Sequence, residues 1–389
     1  MTLVTSLERA LPATLPAGRA TAVFCVGLCE HDELPIEQLR ILVDGVPHRP
    51  SAFGMPRPDR GSAHGGFWGT VPIPAHPETG HVQIGLQAQL AGGGSERATL
   101  GEVAIVAPEM PPELGAAAQE PGPGLIAVCM ATFEPDAELF EAQLDSLRAQ
   151  HDRNWICLIS DDCSAPEKFE LIERAVGSDP RFAISRSETR VGFYRNFERA
   201  IGLVPAGAEL IALCDQDDRW HPDKLATLRG ALGEAVLAYS DQRLVDAGGA
   251  VLRETLWRGR RNNYDSLASM LVANTITGAA TLFHRKLLDV LLPFPDTPGY
   301  QFHDHWLAVA ALAAGELSYV DRPLYDYVQH AGAVFGDVTF GRRRTRRDRT
   351  PGRARGAYFH GYLAREAQAE VLLARVEALT PTKRRALKR

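Results

Sequence analysis

The sequence predicts a doubly wound α/β domain with a Rossmann-like mixed sheet, preceded by an all-β sandwich and followed by a helical, basic C-terminal tail. Three observations predict it. Short continuous apolar runs alternate with helical patterns from residue 125 onward. A period-two pattern punctuated by Gly and Pro fills residues 19–108. An arginine block then opens a last portion that continues at helical spacing. With 389 residues the chain is too long for one ordinary core, so several domains are expected.

Residues 1–18 read as an N-terminal tail, and 19–108 as a β-sandwich with an accessory part to play. In "LRILVDGVPHRP" the pair Asp44-Gly45 separates two extended runs, which is a strong hairpin signal. "HVQIGLQAQLAGG" alternates with period two, as a half-buried strand does. Residues 109–123 are a Pro/Gly/Ala linker. Beyond it, "LIAVCMA" and "WICLIS" are the unbroken apolar runs of buried parallel strands. The helical stretches "AELFEAQLDSLRAQ" and "EKFELIERAVG" follow them in alternation, and "LIALC" closes the series. This domain spans 124–340, and 341–389 hold the arginine-rich segment and a final helix.

Composition excludes several classes. A formal net charge of -6 argues against general nucleic-acid binding. The opening residues lack a basic stretch followed by an unbroken apolar run, so no signal peptide is expected, and no window is long and apolar enough to span a bilayer. Six cysteines without a C-x-x-C pair suggest neither a disulfide framework nor a zinc site, and a reduced, cytoplasmic setting.

The chemistry concentrates in "LIALCDQDDRW", where three carboxylates follow an apolar strand within four positions. In doubly wound sheets ligands sit beyond the carboxyl ends of the strands, and Asp162 and Asp215 to Asp218 all lie there. Oxygen ligands on a loop select Mg2+ or Mn2+, ions that complete their shells with water and substrate phosphates. Asp215-x-Asp217 therefore suggests a metal bridging the protein to a diphosphate, with Arg190 and Arg195 facing the phosphates. For a lone D-x-D the bland reading, a solvated loop leading into a helix, would win.

Five stretches carry a resemblance: "LISDDCS", "RVGFYRNFERAI", "LCDQDDRWHPDKL", "TGAATLFHRKLL" and "HDHWLAVAALAAGELSYVDRPLYDYVQHAGAVFG". With these in order, residues 125–336 resemble a family 2 glycosyltransferase of the GT-A fold, and in particular its rhamnosyltransferase-like branch. The resemblance implies an inverting transferase that moves a sugar from a UDP- or dTDP-linked donor to a hydroxyl of a glycan or lipid-linked acceptor in cell-envelope polysaccharide synthesis. It implies donor contacts from Thr132, Glu134, Asp162, Arg190, Arg195, Asn196, Asp215 and Gln216, with Asp162 on the nucleotide base. The metal would be held by Asp217 with Asp215 and His330. Asp304 would be the general base, and Asp218, Trp220, Gly278, His303 and Trp306 would face the acceptor. The chain departs from the family pattern at Phe133 and Glu134, where Tyr-Asn is usual, and at Val328 and Ala333, where Arg and Asn are usual.

Two other readings compete. A sugar-nucleotide nucleotidyltransferase needs a Gly-rich basic loop after its first strand, and "MATFEPDAELF" has neither glycine nor a basic residue. A non-catalytic carbohydrate-binding protein, with a degenerate transferase domain, would be indifferent to replacement of Asp304. The arginine block at 342–355 raises peripheral membrane contact as an expectation, since each basic residue near an anionic surface contributes about 1 kcal/mol.

Overall fold

The computed structural model describes residues 3–107, 123–257, 264–296, 301–330 and 351–388, with the side chains of 351–360 excepted. The expected linker falls almost wholly outside them, as do Ala333 and the arginine block up to Thr350.

The N-terminal part is built from β1 (Leu3–Leu7), β2 (Thr14–Pro16), β3 (Thr21–His31), β4 (Ile36–Val43), β5 (Val46–His48), β6 (Ala52–Arg57), β7 (Ser62–Ile73), β8 (Gly80–Leu90) and β9 (Ser95–Val106). They form one sheet of order β1-β3-β7-β6 and another of order β2-β9-β8-β4-β5. Alternate residues of β8 (Val82, Ile84, Leu86, Ala88, Leu90) are buried, and they share one core with Val23 and Cys25 of β3 and Phe67 and Val71 of β7. The two sheets thus bury their facing sides, and the segment is a sandwich. Asp44 (φ 47°) and Gly45 (φ 79°) make the hairpin between β4 and β5, both left-handed as a type I′ turn requires. The first residues are not a tail: β1 pairs with β3 and β2 with β9, so residues 3–16 belong to the sandwich.

The second part alternates β10 (Ile126–Thr132), α1 (Ala137–Arg148), β11 (Trp155–Asp161), α2 (Pro166–Val176), β12 (Phe182–Arg186), α3 (Phe193–Gly202) and β13 (Leu210–Cys214). After these come β14 (Arg219–Trp220), α4 (Lys224–Leu232), β15 (Leu237–Asp246), β16 (Val251–Arg253), α5 (Leu267–Val272), β17 (Thr281–His284), α6 (Leu288–Leu291), α7 (His303–Ala314) and β18 (Leu317–Gln329). The sheet order is β12-β11-β10-β13-β17-β15-β18-β14, with β16 on β15. The first four strands run parallel, while β17 is antiparallel to both its neighbours. Strand order reverses between β10 and β13, the switch point beyond whose carboxyl ends a sheet of this kind takes its ligands in a crevice. β10, β11 and β13 are buried nearly throughout because helices cover both faces, which is why they read as unbroken apolar runs.

The C-terminal helices α8 (Pro351–Arg375) and α9 (Pro381–Leu387) are not a detached tail. Leu363 of α8 packs with Phe24 and Trp68 of the sandwich, and Tyr362 meets Trp68 edge-on at 5.9 Å. Further along, Val371, Leu372, Val376 and Leu387 join the core of the α/β domain. Arg375 donates to the carbonyls of Ala20 (2.7 Å) and Val290 (2.8 Å), one on each domain. Arg19 of the sandwich bonds both the carbonyl (2.9 Å) and the carboxylate (2.7 Å) of Asp289. A cleft of about 310 Å³ follows this seam, lined in part by Arg9, Phe24, Arg195 and Phe294. Among the described residues no helix is long and apolar enough to cross a membrane.

Candidate active site

The loops at the ends of β10 and β11 are tied together by side-chain bonds, most of them to backbone. Asp162, at the end of β11, accepts from the amides of Val191 (2.6 Å) and Gly192 (2.9 Å) and so fixes the turn that starts α3. Thr132 Oγ1 lies 3.2 Å from Asp161 Oδ1, and Asp161 in turn accepts from the Ser164 amide at 2.9 Å. Glu134 (φ 47°) and Cys163 (φ 60°) are left-handed although neither is glycine, a strain that surrounding bonds must sustain. For Glu134 these are a bond from its amide to Ser164 Oγ (2.9 Å) and one from the Ala165 amide to its carboxylate (2.7 Å). That carboxylate therefore serves the entry to α2, whose own first position has no side-chain cap. Gln216 grips Phe133 twice, accepting from its amide (2.9 Å) and donating to its carbonyl (3.1 Å), so the acidic loop is tied to the end of β10. The exposed Arg190 lays its guanidinium 3.9 Å from the centre of the Phe133 ring.

Deeper in the crevice the carboxylates press on one another. Burial, followed by the charges of Asp217 and Asp304, pushes Asp215 up to about 7. Burial and the charges of Asp215 and Asp217 raise Asp218 well above the carboxylate range. Asp218 Oδ1 accepts from the Val328 amide at 3.3 Å, while its Oδ2 is buried without a partner among the described residues. Asp304 stands in the first turn of α7 with Oδ1 2.6 Å from the His305 amide, and burial pushes it up to about 7. His330 Nε2 lies 2.7 Å from Asp217 Oδ2, a contact that raises the imidazole above its ordinary value.

A divalent cation fits this donor set. Mutually repelling carboxylates and an orphaned buried oxygen are the surroundings that a positive ion would relieve, and the His330 imidazole, once it has given up its proton, would be a further ligand. Among the described residues no three His, Cys, Asp or Glu side chains close into a cage. Asp217 and His330 would supply the protein ligands, and water and a diphosphate the rest, as Mg2+ usually requires.

Several expected site residues lie elsewhere. Trp306 is wholly buried and its Nε1 donates to the Leu291 carbonyl at 3.0 Å, so it is a core residue and not a sugar platform. Trp220 is 3% exposed and its ring is covered by the Lys224 ammonium at 3.4 Å, which removes it from the acceptor as well. Asn196 is buried and spent on the sheet: its amide nitrogen donates to the carbonyls of Thr132 (3.2 Å) and Ser160 (2.9 Å), and its oxygen accepts from Ser160 Oγ (2.6 Å). Arg195 points to the seam, where it meets Glu198, the Phe294 carbonyl (3.1 Å) and Asp296 (3.7 Å), and not to a phosphate. His303 stacks on Phe197 at 3.6 Å, and burial pushes it down to about 3, so it is neutral. A Cβ at Gly278 would fall 2.6 Å from His303 Nε2, so the missing side chain makes room for that ring. The Arg usual in the family could not replace Val328 without loss, for Val328 is 1% exposed and packs with Leu139 and Val245.

Lys224 was missed by reading the sequence. It is wholly buried, donates to the Ala279 carbonyl, and lies 4.6 Å from the Tyr325 ring as well as above Trp220. Burial pushes its ammonium down to about 7, against the pull of Cys214, Asp218 and Asp215. The available signal was spacing: Lys224 shares the buried face of α4 with Leu225, Leu228 and Leu232.

Comparison with known proteins bears on this crevice. An uncharacterized protein of Sinorhizobium fredii, y4gI, is 31% identical over 129 residues, which cover 32% of this chain and only 14% of that protein's length. The structure of Staphylococcus aureus TarS residues 1–349 with UDP-GlcNAc superposes with a TM-score of 0.48 and 15% identity over 68% of this chain and 70% of that one. The Pyrobaculum calidifontis mannosyltransferase PcManGT, with GDP-Man and Mn2+, gives a TM-score of 0.42 and 17% identity over 68% of each chain. Likeness at that level bears on neither substrate nor metal. Residues 127–292, which run from the second residue of β10 through β13 and the whole acidic loop, match the model of glycosyl transferase family 2.

Proposed function

We propose that the chain is an inverting, nucleotide-sugar-dependent glycosyltransferase of the GT-A kind, in the rhamnosyltransferase-like branch. One observation supports the reading: Asp215, Asp217 and Asp218, which follow β13 inside the segment that matches the family 2 model (residues 127–292), lie close to Asp304 of α7 and to His330 after β18, both of which fall beyond that segment.

Asp304 would act as base. In its ionised form it takes the proton of an acceptor hydroxyl as that oxygen bonds to the anomeric carbon. The bond from that carbon to the diphosphate oxygen breaks on the opposite face, so configuration inverts and no second carboxylate is needed for proton transfer. Burial tunes Asp304 to about 7, poised to gain and lose a proton near neutrality. A divalent ion held by Asp217 and His330 would offset the charge growing on the departing nucleoside diphosphate. Phe133, with Arg190 stacked on it, and Asp162 line the edge proposed for the nucleotide, with UDP or dTDP as its carrier. A glycan or lipid-linked acceptor of the cell envelope, reached from the cytoplasmic face of the membrane, completes the reading.

The test is thermal stabilisation by UDP, dTDP, GDP and CDP, each with Mn2+ and with EDTA. A ligand at a hundred times its dissociation constant stabilises by about 2.7 kcal/mol. One nucleotide should give a shift that EDTA removes. If no nucleotide shifts the melting curve, the transferase reading is refuted.

A further inference from the structure

The acidic crevice has a cation of its own. Lys224 is 0% exposed. Its Nζ is bonded to the Ala279 carbonyl, one residue past Gly278, and rests on the faces of Trp220 and Tyr325, 3.4 and 4.6 Å from their centres. Aromatic faces and carbonyl oxygens are the environment of a charged ammonium, since each presents negative potential to it. Those contacts reach three separate pieces of the site: β14, which follows directly on the loop carrying Asp215 to Asp218, the turn before β17, and β18, which leads to His330. Among the described residues Lys224 is also the one basic group acting on Asp215 and on Asp218.

We propose that Lys224 is the built-in counter-cation of this crevice: it holds the Asp215–Asp218 loop in place before any metal arrives and sets how tightly the crevice takes a divalent ion. The inference rests on the metal reading above. In its protonated form Lys224 puts a positive charge within reach of Asp215 and Asp218 that repels free Mg2+ or Mn2+, and the two negative charges of a diphosphate more than reverse that repulsion. Metal and nucleotide are then taken together, and metal alone is taken weakly. Lys224 is a positioning residue in this scheme and touches neither substrate nor metal.

The experiment titrates the full chain with Mn2+ alone, without nucleotide, in three forms: wild type, Lys224→Met and Lys224→Arg. Removing one unit charge from a partly screened site should tighten Mn2+ binding by at least about tenfold in Lys224→Met. The same variant should melt lower than wild type in EDTA and recover most of the difference in saturating Mn2+. Lys224→Arg, which keeps the charge, should bind Mn2+ as wild type does. If Lys224 merely fills space, Lys224→Met will bind Mn2+ no better than wild type and lose the same stability with and without metal, which overturns the proposal. If Lys224→Met does not fold, the double variant Lys224→Met/Asp218→Asn removes the lysine together with the carboxyl group that it acts on. It should fold and bind Mn2+ close to wild type, and much weaker binding overturns the proposal. Failure of wild type and variants alike to bind Mn2+, with nucleotide stabilisation surviving in EDTA, overturns the metal reading and this inference with it, while leaving the transferase standing.

Discussion

Replacing Asp304 by Asn keeps the shape of the site and removes its charge, and the two consequences have opposite signs. The asparagine would still accept from the His305 amide through its carbonyl oxygen, so α7 should start as before. Loss of a general base costs about 10²- to 10⁴-fold in transfer rate. Stability moves the other way. Lifting the carboxyl from 3.8 to about 7 corresponds to about 4 kcal/mol of penalty on its ionised form, a ceiling because the side chain is only part-buried. With the folded value raised, the native state binds the extra proton between the two values, so wild-type stability falls as pH rises from about 4 to about 7 and is level above that. The Asn variant lacks this loss. Its melting temperature relative to wild type should therefore climb through that window and stay a few degrees higher at pH 8. Melting curves from pH 4 to 9 measure this without knowledge of the substrate, and donor turnover measures the rate. A melting difference that does not change with pH, or transfer at the wild-type rate, would refute the reasoning.

Other outcomes follow from the geometry. Gly278→Ala should push the His303 ring aside and, through it, displace Asp304, lowering turnover while leaving nucleotide affinity near wild type; parallel binding and rate measurements check this. Trp306→Ala should cost about 3–5 kcal/mol in denaturant melts as a core cavity does, whereas Trp306→Phe should keep acceptor KM unchanged. Asn196→Ala frees two carbonyls and a hydroxyl inside the sheet and should destabilise by about 1–3 kcal/mol in the same melts, with no specific loss of donor binding. Arg375→Ala removes two charge-assisted bonds across the seam; about 1.5–3 kcal/mol per bond is the usual scale, and faster proteolysis at the junction is the readout.

Local chemistry was legible in the sequence, and what depended on distant partners was not. The hairpin at Asp44-Gly45 needs only two left-handed residues between extended runs, and it formed where the sequence put it. Strands β10, β11 and β13 were plain because burial on both faces leaves no polar alternation to confuse. The residues after β13 announced themselves because carboxylates at a strand end have few structural reasons to be there. Trp306 and Trp220 misled because tryptophan suits both a sugar platform and a core, and only packing separates the two. Asn196 and Arg195 sat in a motif that matched a donor site, yet α3 turns Asn196 into the sheet and Arg195 toward the sandwich. The N-terminal strands went unread because β1 and β2 are short and pair with strands remote in sequence. Lys224 reads as a solvated residue at a helix start until its face of α4 is laid out.

The docking of α8 has a bearing on how this protein is made. The sandwich and the α/β sheet each have a core of their own, so each can condense as it leaves the ribosome. Arg19 already reaches Asp289 across the seam, but the contacts that α8 adds, from Leu363 to Arg375, are encoded after both modules. Until that stretch has been synthesised, the outer face of Trp68 and the helix-facing side of the α/β core stay uncovered, and premature termination upstream of it would leave two folded halves with sticky surfaces. Translation thus orders the assembly: the two modules and the Arg19–Asp289 contact come first, and the clasp that α8 lays across both comes last.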